Sequence, residues 1–160
     1  KRDVHQRGKS QENTMQSIFS RKDDADKYIH TQSSNADIIF SLSPLSKLDY
    51  EGAAKNKDIV VPLSLIVTLK KGAYYEDLLR FLLANCQCYV EAEVFSNASV
   101  KLHIYGEVYS QDIELGARSL TPWIFDLLAT KPIWCDGFLG IMQLIVLLQA
   151  SENLKLRKTK

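Results

Sequence analysis

The 160 residues suffice for one compact domain with a tail, and 46% hydrophobic with 24% charged residues excludes a wholly disordered or fibrous chain. The net charge of +1 is unevenly spread: the first ten and last ten residues carry +3 each, leaving −5 between them, which argues against a basic DNA-reading face. A polar opening without a signal-peptide pattern and an odd count of three cysteines argue against secretion and a disulfide framework, so the expected setting is reducing, nuclear or cytoplasmic.

Residues 1–36 are rich in Ser, Gln, Asn, Lys and Asp and read as a polar N-terminal arm, disordered or partner-binding, because they have too little apolar surface to offset their ordering entropy. One island interrupts the arm: Met15, Ile18 and Phe19 share a side of a single helical turn, the spacing of a groove-anchoring peptide, although packing on its own domain is the reading the composition favours. A single folded domain is expected over 37–156, with a basic tail at 157–160. It starts with a short strand carrying Ile38, Phe40 and Leu42 and ending at Ser43-Pro44. Residues 46–58 read as a loop or short helix.

The longest strand signal follows at Ile59–Lys71, with Ile59, Val61, Leu63, Leu65, Val67 and Leu69 on one face and Pro62 confining that end to an edge or bulge. After a turn at Gly72, a helix over 73–86 carries a stripe of Tyr75, Leu78, Leu79, Leu82, Leu83 and Cys86. A hairpin is then predicted. Cys88, Val90, Ala92 and Val94 share a face with Leu102, Ile104 and Val108, and the expected pairs are Val94 with Leu102, Ala92 with Ile104 and Cys88 with Val108 across a tight Asn97-Ala98-Ser99 turn. On its outer side this register sets Glu93 against His103, Phe95 against Lys101 and Glu91 against Tyr105.

Residues 111–120 read as a turn with a short edge strand. Thr121-Pro122 is a helix start for "PWIFDLLAT", and Asp136-Gly137 starts a second helix that is apolar all round in its first half. The order of elements gives an α+β fold: a small, mainly antiparallel sheet with helices packed on one face and two C-terminal helices. The long strand, helix and hairpin resemble part of a ferredoxin-like split βαβ unit.

Reactive groupings are weak. Cys86, Cys88, Cys135 and His103 have the chemistry of a Cys3His zinc set, yet Cys-x-Cys is too close for the usual knuckle, so they read as buried thiols. Glu93 and His103 form a cross-strand pair without a third orienting group. Residues 133–150 hold one charge, Asp136, but Gly137, Gly140 and Gln143 interrupt the run, which reads as a core helix rather than a membrane span. With no HExxH, GxSxG or Gly-rich phosphate loop seen, the expectation is no catalytic residue, metal or cofactor. The functional expectation is a non-catalytic protein–protein interaction module, a subunit of an intracellular assembly with a protein partner or a second copy. Trp123, Phe125, Trp134, Leu144, Leu147, Leu148, Met15, Ile18 and Phe19 are its expected contact residues. The alternative is a nucleic-acid-binding domain that uses its basic termini and an aromatic, charged sheet face.

Overall fold

A computed structural model describes residues 8, 10–47, 60–70, 74–96 and 99–158. The expected loop at 48–58, the turn at Gly72 and the hairpin tip at Asn97-Ala98 lie outside them.

The fold is α+β. Helix α1 (Gln11–Ser20) leads through short helical turns over Lys22–Ser34 to strand β1 (Ile38–Pro44). Then follow β2 (Leu63–Leu69), α2 (Tyr75–Asn85), β3 (Gln87–Val94), β4 (Val100–Glu107), α3 (Ser110–Leu120), a 3-10 turn at Pro122–Leu127 and α4 (Gly137–Lys158). The four strands form one antiparallel sheet in the order β1-β2-β4-β3. Because β2 and β3 both run antiparallel to β4, they are parallel to each other with β4 between them, so β2, α2 and β3 make a split βαβ unit.

Alternation along the strands makes one face apolar. Leu65, Val67 and Leu69 of β2 and Val100, Leu102 and Ile104 of β4 are sealed beneath the helices. Above them pack Leu78, Phe81 and Leu82 of α2, Ile113 and Ala117 of α3, and Ile141, Leu144, Ile145 and Leu148 of α4. Spacings of three and four residues place each set on one helix face. The opposite sheet face, with His103, Lys101, Glu91 and Glu93, stays open.

Several expectations need correction. The strand expected from Ile59 begins at Leu63, just past Pro62, which has no N–H for the ladder; its carbonyl accepts from Leu45 N–H instead. In α2 the buried stripe includes Phe81, while Leu83 is exposed, so the core-facing side is rotated from the expected one. The hairpin register is two residues away from the expected one: Val94 faces Val100, Ala92 faces Leu102 and Cys88 faces Gly106. A two-residue shift keeps every side chain on its face, so the hydrophobic pattern cannot detect it. Gly106 shows what the true register needs. It sits at φ +118°, and a Cβ there would lie 2.6 Å from the Gln87 carbonyl oxygen, so only glycine fits against Cys88.

Residues 110–120 are a helix, not a turn and edge strand. Asp112 accepts from the Tyr109 N–H in a capping box, and Asp136, from a distant loop, accepts from the Ser110 N–H at 2.6 Å. The helix expected after Thr121 is a 3-10 turn, Pro122–Leu127.

Candidate functional site

In the N-terminal segment, Gly8 has φ +66°, a left-handed conformation suited to glycine, and Ser10 is extended. Ser10 Oγ accepts from Asn13 N–H at 3.1 Å, which makes it the N-cap of α1. In the sequence, Arg7 and Lys9 lie within four residues of the start of α1. Further along, Asp26 Oδ1 lies 2.7 Å from His30 Nδ1, one helical turn apart and exposed. Lys70 Nζ donates to the carbonyls of Ser33 and Ser34, and Lys70 N–H donates to the Asp37 carbonyl, so this segment is tied to the end of β2.

The nine expected contact residues do not share one surface. Met15, Ile18 and Phe19 lie on α1 with their side chains exposed. Leu144 and Leu148 are fully or almost fully buried in the core, so they seal this domain and present nothing to a partner. Leu147, Trp123, Phe125 and Trp134 are half-buried. Phe125 lies under the Arg118 guanidinium at 5.1 Å. Trp134 lines an open trough of about 460 Å³ with Ser110, Gln111, Glu114, Lys131, Pro132 and Ile133. One Glu114 oxygen meets Arg118 at 2.9 Å and Lys131 at 3.3 Å, and these two cations hold its carboxyl below the usual range. Gln143 pins the trough wall, its amide accepting from Cys135 N–H and donating to the Ile133 carbonyl.

The thiols of the helix–strand junction are packed. Cys86 closes α2 and Cys88 is buried on β3, its Sγ directed at the Leu82 carbonyl. A hydrogen bond between the two thiols, helped by burial, pushes Cys86 up, and the same hydrogen bond draws Cys88 down against its own burial. His103 lies on the open face, opposite Glu91, whereas Cys88 lies on the core face, so the Cys3His set does not converge. Among the described residues no three His, Cys, Asp or Glu side chains gather as metal ligands. The expected Glu93–His103 pair is likewise replaced: Glu93 faces Lys101. Tyr89 and Tyr105 stack beside these pairs at 5.2 Å. By length and composition α4 could cross a membrane, though a third of the stretch is buried in this fold.

Residues 1–49 match the family model described as phosphoribulokinase / uridine kinase family. Comparison with curated proteins and with solved structures gives no match. The family match overturns the expectation of a non-catalytic interaction module and that of a nucleic-acid-binding domain, since it points to a kinase. The Lys1, Arg2, Arg7 and Lys9 cluster of the polar arm falls within the matched stretch. A signal was present in Gly8-Lys9-Ser10, a glycine, a cation and a hydroxyl placed directly before a helix start. Asp3 occupies the place of the first glycine in the GxxxxGK[ST] pattern, so the motif is incomplete.

Proposed function

We propose that this chain serves a phosphotransferase of the kind named by the matching family, moving a phosphoryl group from a nucleoside triphosphate to a hydroxyl of a pentose-bearing acceptor such as uridine or a ribulose phosphate. The observation that carries this reading is the match over residues 1–49. Phosphoryl transfer asks the protein chiefly for positioning and for positive charge against the phosphate oxygens. Lys1, Arg2, Arg7 and Lys9 supply that charge, and the α1 N-terminus adds its dipole.

The test is transfer of γ-phosphate label from ATP with magnesium to uridine and to ribulose phosphate by the full-length protein. Arg7→Ala and Lys9→Ala are each expected to lower kcat/KM by roughly tenfold or more, while Arg157→Ala in the C-terminal basic run leaves it unchanged. Absence of labelled product with either acceptor, together with absence of ATP binding by calorimetry, would sink the reading.

A further inference from the structure

The sheet has two edges of opposite character. β3 carries Glu91 and Glu93, and charges on an edge deter the addition of another strand. β1 has no charged residue from Ile38 to Pro44, and Pro44 at its end is its sole guard.

Two hydrogen bonds establish which β1 amides point outward. Leu45 N–H donates to the Pro62 carbonyl at 3.0 Å, and Lys70 N–H donates to the Asp37 carbonyl at 2.9 Å. The register Ile38↔Leu69 through Pro44↔Leu63 makes both bonds part of the same ladder. Residues of an antiparallel strand alternate between bonding toward and away from a given neighbour. The odd-numbered residues therefore bond β2, and Ile38, Phe40 and Leu42 turn their N–H and C=O groups to the free side. Pro44 falls on that side too, so its missing N–H costs the β1–β2 ladder nothing.

The side chains of these three residues are equally unfinished. They stand opposite Leu69, Val67 and Leu65 on the core face. Those partners are sealed, yet Ile38 and Phe40 are only half-buried and Leu42 is 54% exposed. Among the described elements, β2 alone pairs with β1.

We propose that β1 pairs antiparallel with β1 of a second copy of this chain, about a twofold axis at Phe40, joining two four-stranded sheets into one. In this register Ile38 meets Leu42 of the second copy and Phe40 meets its own counterpart. About six main-chain hydrogen bonds form, and Pro44 stays outside the paired stretch. The apolar row of each β1 continues into that of the other, which covers the side chains left half-open in one copy. A strand without charge can pair with itself without repulsion, whereas β3 against β3 would set glutamates against glutamates. This inference stands apart from the phosphotransfer reading, since it uses only the sheet.

Sedimentation velocity on the full chain across the micromolar range is expected to show a concentration-dependent dimer. Leu42→Lys, at an exposed position, should weaken it by roughly tenfold or more with the far-ultraviolet circular dichroism unchanged, while Val94→Lys on the β3 edge should leave it intact. Amide exchange gives an independent reading: protection at Ile38, Phe40 and Leu42 should rise with protein concentration. A monomer at every concentration with these amides exchanging freely overturns the inference. A dimer indifferent to Leu42→Lys does so as well. Protection that does not vary with concentration would mean that another segment of the same chain covers the edge, and this too defeats it.

Discussion

Tyr74 stands just before α2 with its ring buried and its hydroxyl donating to Gln149 Oε1 of α4 at 2.8 Å. Burial first, then the charges of Asp37 and Glu152, push its pKa from 10.0 up to about 12. A raised folded-state value means that the fold favours the protonated phenol. That contribution is fully present below pH 10.0 and is lost as the pH climbs toward about 12. Tyr74→Phe is therefore expected to reduce the alkaline loss of stability in that window, and to lower stability at neutral pH by about 1 kcal/mol through the lost hydrogen bond. Urea unfolding at neutral and alkaline pH measures both. At this scale the cysteines were legible in the sequence: Cys86 at a helix end and Cys88 on an apolar strand face were expected to pack, and they do. The hydrogen bond between them was not, because it depends on side-chain rotamers at a junction that the sequence pattern does not describe.

Among the elements, α3 was misread outright. Ile113, Ala117 and Leu120 have helical spacing, but Gly116 in the middle lowers helix propensity, and the polar start at Ser110 resembles a turn. The glycine has a tertiary explanation: a Cβ at Gly116 would lie 2.6 Å from the Phe81 ring, so its absence allows α3 to approach α2. The α3 N-terminus is likewise completed from afar, by Asp136 at 2.6 Å from the Ser110 nitrogen. Asp136→Ala is expected to raise amide exchange in the first turn of α3 roughly five- to tenfold, the loss typical of a missing cap. The Ser110 hydrogen bonds hold the Asp136 carboxyl below its usual range, so in the unsubstituted protein the cap is present above the ordinary aspartate pKa and is lost as the pH falls through the lowered value. Exchange rates that differ between the two proteins at neutral pH should then converge at acidic pH.

Over the described residues, helices α2, α3 and α4 pack on one face of the sheet, and α4 lies along α3. Leu144 is fully buried, so Leu144→Ala should cost about 2–5 kcal/mol in denaturant unfolding, the price of a cavity in a close-packed core. A contact residue on a partner-facing surface would give a far smaller change in the isolated chain. The sequence had assigned Leu144 and Leu148 to such a surface because α4 is apolar on several sides, and hydrophobicity alone cannot distinguish a helix covered by its own sheet from one awaiting another chain.

The sequence by itself determined the α+β class, the order of strands and helices in the domain's first half and the core-facing side of each strand, because alternation is written in the chemistry of neighbouring residues. Gly8-Lys9-Ser10 was also in plain view, although a partial motif gains its meaning only beside its family match and its helix start. The tertiary structure alone decided the hairpin register, the helical state of residues 110–120 and the edge of β1 that no described strand pairs with. Each of these depends on groups far apart in the chain: Gly106 against Gln87, Asp136 against Ser110, and the point along the sheet at which the helical layer ends.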